Sequence, residues 1–153
     1  MTELETFLAA QSEFGRFSPS DLAALARALA VQDFAAGHVF IAQGRPGDSL
    51  YLLIAGRVRV NREDDLTGER QTLKTLGPGD LFGLLSLIDR MPAAATCVAD
   101  GPVRAAALPR SAFDLLQNSA APIAVHFQRR VTAQLARDLQ DRNRALRRLL
   151  SSL

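Results

Sequence analysis

The chain reads LFGLLSLIDRMPAAATCVA from residue 81 to residue 99, and this stretch decides the fold. A Gly-Pro-Gly-Asp turn precedes it at residues 77–80. An apolar run, residues 84–88 with Ser86 as its one polar member, is stopped by Pro92, and residues 93–99 have the composition of a strand. A glycine turn that opens a one-turn helix leaves backbone N–H groups unpaired, so the stretch predicts a small anion site.

Short strands separated by glycines precede this stretch. Residues 34–60 read FAAGHVFIAQGRPGDSLYLLIAGRVRV, with glycines three to nine residues apart. Residues 57–61 alternate between apolar and polar side chains, which is typical of a strand. A hairpin tip is marked by Asp64, Asp65 and Gly68. Strand composition is also found at residues 71–76 and 103–108. Many short strands without helices between them indicate a sandwich or barrel rather than a parallel sheet.

Together these motifs resemble the cyclic-nucleotide-binding domain family, the effector domains of catabolite-activator-type regulators, cyclic-nucleotide-dependent kinases and gated channels. The positions that carry the resemblance are Phe34, Gly37, Gln43, Gly44, Pro46, Gly47, Asp48, Tyr51, Gly56, Phe82, Gly83, Ser86, Leu87, Pro92, Ala94 and Thr96. They extend over about residues 17–116. The resemblance implies an α+β fold: an antiparallel β-roll (jelly-roll barrel) with N-terminal helices and a long C-terminal helix. It also makes residues 81–99 the phosphate-binding cassette, which we call the cassette.

Two cassette positions depart from the family pattern. The resemblance implies a glutamate that holds the ribose 2′-hydroxyl and an arginine that pairs with the cyclic phosphate, but this chain has Leu84 and Ala93 there. A buried phosphate without a bidentate arginine is destabilised by several kcal/mol. We therefore expect no binding of cyclic AMP or cyclic GMP in the usual pose. The pocket is expected either to be filled by Leu84 and its neighbours or to take another, less charged effector.

The ligand-contact residues that the resemblance implies for this degenerate cassette form one short set. They are Phe82, Gly83, Leu84, Leu85, Ser86, Ala93, Ala94 and Thr96. Arg90 is the nearest arginine to the missing one, but it precedes position 93 by three residues and would approach from another side.

The sequence predicts one structural domain with three parts: an N-terminal helical segment (1–33), the β-roll (34–108) and the C-terminal helices (109–153). Ser18, Pro19 and Asp21 predict a helix start, with an apolar face that continues to about Gln32. Ser111 is the predicted N-cap of a short helix, and a long helix is predicted from about residue 123 to residue 150.

The long helix carries one apolar stripe that a small roll cannot cover along its whole length, which predicts a homodimer. The predicted interface residues are Val131, Leu135, Leu139, Leu146 and Leu149. The alternative is a monomer whose stripe folds back. From residue 126 onward seven arginines stand against two aspartates, either as a solvated face or as contacts for phosphate or an acidic partner. Arg142 lies in line with the stripe.

The remaining features favour a regulatory module over an enzyme. The sequence contains no nucleophile elbow, P-loop or HExxH motif, and His38 and His126 are isolated. Cys97 is the one cysteine and is expected to be buried. We therefore predict no catalytic residues, no metal site and no cofactor. No apolar run reaches 18 residues and no signal peptide is visible, so a cytoplasmic protein without membrane contact is expected.

The function predicted from the sequence is a non-enzymatic regulatory or protein-interaction module that binds a protein partner and responds to an effector of unknown identity. Direct DNA binding is not expected, because the winged helix-turn-helix of the DNA-binding relatives does not follow the long helix before Leu153. Two alternatives remain: a sensor of a small-molecule or nucleotide-like effector with altered contacts, and a relative of transcription regulators that acts through a separate DNA-binding partner.

Overall fold

Five helices and eight strands are formed by the described residues, 2–11, 14–15 and 17–153, of the computed structural model. In chain order they are α1 (Glu3–Ala10), α2 (Pro19–Ala28), β1 (Ala30–Phe34), β2 (Val39–Ile41), β3 (Ser49–Ala55), β4 (Val58–Glu63), β5 (Arg70–Leu76), β6 (Leu81–Phe82), α3 (Leu84–Asp89), β7 (Thr96–Ala99), β8 (Val103–Pro109), α4 (Arg110–Gln117) and α5 (Pro122–Ser151). The short helix α3 is the cassette helix, and it lies between two strands that belong to different sheets.

The strands form two four-stranded antiparallel sheets. Their strand orders are β1-β8-β3-β6 and β2-β7-β4-β5, so sequence neighbours are often not sheet neighbours. The antiparallel β-roll expected from the sequence is therefore confirmed, as two facing sheets that do not close into a barrel. The hairpin of β4 and β5 is also confirmed, with Glu63 opposite Arg70 at its tip end.

Two apolar clusters hold the layers together. One fills the space between the sheets and contains a chain of aromatic rings, in which Tyr51 stacks on Phe82 at 5.2 Å between centroids and Phe40 packs edge-on against both. The other lies between the β1-β8-β3-β6 sheet and the helices, and it includes Leu8, Phe113 and buried residues of α2 and α5. The cassette helix contributes to the second cluster through Leu84 and Leu87.

The helix boundaries confirm some of the predicted signals and correct others. The Ser18 hydroxyl accepts the N–H of Asp21 at 3.2 Å, so the predicted start of α2 is confirmed. The helix ends at Ala28 instead of continuing to Gln32, because residues 30–34 pair with β8. The roll therefore begins four residues before the predicted boundary at residue 34.

The predicted N-cap of α4 is wrong. The N-cap residue is Pro109 rather than Ser111, and α4 begins at Arg110. The reason is that β8 runs directly into the helix: Pro109 still pairs with Ser49 of β3 and keeps an extended backbone. The long helix agrees with its prediction within one residue at each end.

The burial along α5 divides the predicted dimer interface into two parts. Val131 is 2% exposed and belongs to the cluster beneath the helices, so it is covered by its own chain and is removed from the predicted interface. Leu135 is partly buried against the same cluster. Leu139, Leu146 and Leu149 are 60%, 54% and 64% exposed, which leaves the distal part of the stripe uncovered within the chain.

Gly83, which precedes the cassette helix, has a conformation and a packing environment that other residues do not fit. Its φ is +84°, and a Cβ placed on it would lie 2.8 Å from the carbonyl oxygen of Ser49 and 2.9 Å from Cδ1 of Ile41. The left-handed backbone alone disfavours other residues by about 1–2 kcal/mol, and the overlap adds to that penalty. Gly83 thus brings α3 close to both sheets.

The substitution Gly83→Ala is expected to lower the free energy of unfolding by about 3 kcal/mol, from left-handed strain together with overlap. Gly37→Ala is the matched control, because Gly37 has a φ of +85° but no atom within 4 Å of an added Cβ. Its expected loss is about 1 kcal/mol, from strain alone. Urea unfolding of both variants measures the difference, and equal losses would contradict the close packing at Gly83.

Candidate functional site

The cassette helix is bounded by two residues with left-handed backbone. Gly83 begins it at φ +84°, and Arg90 ends it at φ +58°, the one positive φ among the described residues other than glycine. The N–H of Arg90 bonds the carbonyl of Ser86 at 3.1 Å, and the Asp89 carboxylate accepts the N–H of Met91 at 2.9 Å. These local bonds close the helix after six residues and turn the chain toward β7.

The Ser86 hydroxyl joins two loops and is not available to a ligand anion. It donates to the carbonyl of Met91 at 2.7 Å and accepts the N–H of Gly47 at 3.2 Å. Arg110 reinforces the same junction, since its guanidinium donates to the carbonyls of Gly47 at 2.6 Å and Leu87 at 3.3 Å. The cassette helix is therefore fixed by hydrogen bonds that the protein makes with itself.

The strand side of the cassette is fixed to the loop that follows β2. The N–H of Gln43 bonds Oγ1 of Thr96 at 3.0 Å. Gly44 and Arg45 exchange backbone bonds with Ala93, each at 2.8 Å. This pairing builds one wall of an open cleft.

The cleft has a volume of about 570 Å³ and lies between the cassette strand and the β4–β5 hairpin. It is lined by Ala42, Gln43, Gly44, Arg62, Glu63, Asp64, Asp65, Gly68, Ala93, Ala94 and Thr96. The Gln43 side chain holds the hairpin in place, with Nε2 donating to the carbonyl of Glu63 at 2.9 Å and Oε1 accepting its N–H at 2.8 Å.

The charges that line the cleft are mostly negative. The lining includes the guanidinium of Arg62 and the carboxylates of Glu63, Asp64 and Asp65, and the Glu63 carboxylate is also paired with Arg70 at 3.8 Å. The Asp64 carboxylate accepts the N–H groups of Thr67 and Leu66, and these backbone hydrogen bonds lower its pKa. The sequence correctly placed these acids at a hairpin tip, but it did not place that tip beside the cassette.

The structure brings together some of the predicted contact residues and separates the others. Ala93, Ala94 and Thr96 line the cleft. Phe82 is buried between the sheets, and Leu85 is 43% exposed on the outer side of α3. Leu84 is 3% exposed and packs into the cluster beneath the helices. Of the two alternatives for the pocket, the structure does not support filling by Leu84, because this side chain packs into the core and does not line the cleft.

Arg90 does not replace the missing arginine. Its guanidinium pairs with Asp114 of α4 at 3.4 Å, and it is not among the residues that line the cleft. Among the described residues at the cleft, the position of the phosphate-pairing arginine is occupied by the methyl group of Ala93, which packs against the cluster between the sheets.

A polar network, which the sequence reasoning missed, ties α5 to the turn before the cassette. Arg130 is 2% exposed and donates to the carbonyl of Gly79 at 2.9 Å, and Oε1 of Gln134 accepts the N–H of Leu81 at 3.1 Å. Nζ of Lys74 in β5 lies 3.1 Å from the carboxylates of both Asp138 and Asp141. Arg130, Gln134 and Asp138 are spaced four residues apart, which places them on one face of α5. This spacing was the sequence signal that could have identified the network.

The pKa of Lys74 reflects the balance inside this network. Burial lowers the pKa of the Lys74 amine. The hydrogen bond that Lys74 donates to Asp141, together with the charge of Asp138 and the hydrogen bond to it, outweighs burial, so the pKa of the amine is raised. Lys74 is therefore charged throughout the neutral range. Since Lys74 belongs to β5 and its partners belong to α5, the ion pairs join the helix directly to the edge of a sheet.

An antiparallel roll that carries a glycine-led cassette and continues into a long helix defines the class of cyclic-nucleotide-binding-like domains. The profile of the cyclic nucleotide-binding domain family matches residues 31–119, and the chain belongs to this family. The structure is similar to that of a cyclic nucleotide-binding domain from Methylobacillus flagellatus, with a TM-score of 0.81 and 28% identity over 95% of this chain and 82% of that one.

Two curated relatives are regulatory proteins. A CRP-like cAMP-activated global transcriptional regulator of Mycobacterium tuberculosis is 37% identical over 71% of this chain and 48% of its own length. The cAMP-dependent protein kinase regulatory subunit of Hypocrea atroviridis is 36% identical over 73% of this chain and 23% of its own length. The chain thus spans about half or less of these relatives. In the part of the chain that the structure describes, no helix is long and apolar enough to cross a membrane.

The thiol of Cys97 lies in the cassette strand and is buried, as expected. Burial raises its pKa to about 12. Very little of this thiol is ionised at pH 8, so reaction with a disulfide reagent should be slower than in the urea-unfolded chain by about two to three orders of magnitude. Labelling at the unfolded rate under native conditions would contradict the burial.

The same shift predicts how stability depends on pH. Because the folded pKa exceeds the unfolded value, the protonated thiol stabilises the fold below about pH 9, and this contribution is lost as the pH rises toward about 12. Unfolding between pH 8 and 11 should therefore show a smaller decline for Cys97→Ala than for the natural chain.

Proposed function

We propose that the chain is a non-enzymatic regulatory module of the cyclic nucleotide-binding family that does not bind cyclic AMP or cyclic GMP in the usual way. The observation that carries this proposal is the charge of the cleft beside the cassette. Three carboxylates and one guanidinium line it, and a methyl group stands at the position of the phosphate-pairing arginine.

The physical argument concerns the free energy of holding a phosphate there. A cyclic phosphate that leaves water needs a counter-charge, and a bidentate arginine is the usual one. Without it the anion is disfavoured by several kcal/mol, or on the order of a thousandfold in affinity. The surrounding carboxylates repel the anion further, and the Ser86 hydroxyl is already bonded to Met91 and Gly47. The cassette is thus preserved as a scaffold without its phosphate contacts.

A small-molecule sensor with altered contacts is the second candidate, and the open cleft favours it. Because Leu84 turns into the core, about 570 Å³ beside the cassette is accessible to a ligand. The lining favours a neutral or cationic molecule, since amide, hydroxyl and carboxylate oxygens outnumber cations there. A protein partner that inserts a basic side chain would satisfy the same lining.

Regulation in either case passes through α5. The helix is bonded to Gly79, in the turn before the cassette, and to Leu81, the first cassette residue, so a change in the cassette alters the groups that hold the helix. We propose that a partner or ligand shifts α5 relative to the cassette and that this shift is the output of the module.

Calorimetry with cyclic AMP and cyclic GMP tests the main proposal. We expect no binding tighter than high micromolar for the natural chain, and we expect Ala93→Arg to tighten binding at least tenfold by supplying the guanidinium. The control is Ala36→Arg, which adds the same charge at an exposed position outside the cleft. Low-micromolar or tighter binding by the natural chain would contradict the proposal. If Ala93→Arg binds cyclic nucleotides no more tightly than the natural chain, then other contacts besides the arginine are missing.

The distal part of α5 supports a homodimer. Leu139, Leu146, Leu149, Leu150 and Leu153 are all more than half exposed. Covering them on two copies removes on the order of 1,000 Å² of surface from water, near the lower limit for a specific interface. We therefore propose a weak homodimer through residues 135–153, which are the end of α5 and the two residues that follow it.

Leu146→Asp tests this interface. A carboxylate in the seam should weaken dimerisation at least tenfold, because each copy would bury a charge without a partner. Leu115→Asp is the matched control, since Leu115 is 74% exposed on α4, outside the seam. Sedimentation equilibrium measures both, and an equal response of the two variants would argue against pairing through α5.

A further inference from the structure

Arg142 interrupts a seam on α5 that otherwise consists of leucines. The seam positions alternate in steps of four and three residues, which is the a and d spacing of a coiled coil. They are Leu135, Leu139, Arg142, Leu146 and Leu149. The Arg142 side chain is exposed, and its guanidinium has no hydrogen bond or ion pair with any residue that the structure describes.

The carboxylates closest to Arg142 along the helix are engaged by other cations. Asp138 and Asp141 each lie 3.1 Å from Nζ of Lys74, and Asp141 also accepts an ion pair from Arg144 at 3.7 Å. From residue 142 to residue 153 the chain has four arginines and no acidic residue. Arg142 therefore has no counter-charge of its own within this segment.

The position of Arg142 along the fold is set by the network that holds α5. Arg130 contacts Gly79, which follows the end of β5, and Asp141 contacts Lys74 within that strand, so α5 runs antiparallel to β5. Arg142 follows the last of these contacts. It lies within the uncovered part of the seam, between Leu139 and Leu146.

We propose that α5 pairs in parallel with α5 of a second copy and that the two Arg142 side chains form an anion site in the seam. The inference rests on the homodimer proposed above. In a parallel pair a d position faces the same d position, so Arg142 meets Arg142 of the partner subunit. Two guanidinium groups in one layer repel each other, and an oxyanion between them removes that repulsion.

The chemistry of the site favours a phosphate-type anion. Each guanidinium offers parallel N–H donors in a planar fork, which matches two oxygens of a tetrahedral oxyanion better than it matches chloride. Two forks from opposite sides complete such a contact. The anion then links the two copies and makes dimerisation depend on its concentration.

The experiment measures the dimer dissociation constant of the full chain in chloride and in inorganic phosphate at equal ionic strength and pH. Arg142→Leu completes the leucine seam, and Arg142→Gln removes the charge without adding apolar surface. Arg147→Leu is the control, because position 147 lies outside the a and d positions and loses the same charge. Phosphate also strengthens apolar burial in general, so the ratio between the two buffers is compared across variants.

We expect the natural chain and Arg147→Leu to dimerise at least about fivefold more tightly in phosphate than in chloride. Arg142→Leu should dimerise at least about tenfold more tightly than the natural chain in chloride, and neither Arg142 variant should show more than the general phosphate effect. A dimer that responds to phosphate equally in all four proteins would overturn the anion site while leaving the homodimer in place. Monomers throughout, including Arg142→Leu, would overturn both.

Discussion

Two backbone groups, the carbonyl of Gly79 in the turn before the cassette and the N–H of Leu81 at its first residue, are satisfied by side chains of α5, and the arrangement of roll, cassette and helix depends on them. The Leu81 N–H bonds Oε1 of Gln134, and the Gly79 carbonyl accepts from Arg130. Both side chains are 2% exposed, so neither group has water as an alternative partner. Moving α5 away would leave a buried donor and a buried acceptor unpaired, each at about 1–3 kcal/mol. A shift of α5 relative to the cassette therefore requires new partners for both groups, and this requirement couples the helix to the cassette.

The backbone frame of the cassette is self-sufficient, and this explains how it persists without ligand contacts. The left-handed Gly83, the Ser86 hydroxyl and the Arg110 guanidinium fix α3 through bonds within the chain. None of these groups depends on a phosphate for its hydrogen bonds. The presence of Ala93 at the position of the family's arginine is consequently compatible with the same cassette fold. The frame shared with the family is preserved, and under the proposal above the charges beside it favour a different ligand.

Much of the fold was predictable because its signals are local. The glycine spacing, the hairpin tip and the Ser18 cap depend on residues close in sequence, and the structure confirms them. The failures concern contacts between distant residues. Strand β1 overrides the helical pattern at Val31 because it pairs with β8, more than seventy residues away. Likewise, the orientation of Leu84 depends on whether the core beneath the helices has room for it, which the cassette motif does not specify.

The site was less predictable than the fold for a related reason. A motif identifies the residues that a family uses, but the cleft also takes its character from the hairpin tip. The pairing of β4 with β7 and the bonds between Gln43 and Glu63 bring that tip beside the cassette. The charge of the cleft is therefore set by the residues that the fold brings together, and the cassette motif alone does not specify it. In this chain the acids gather at the cleft, and the arginines gather on the last turns of α5. In the proposals above, the positive charge that attracts an anion therefore lies on the helix, at the surface where two copies would meet, rather than in the cassette.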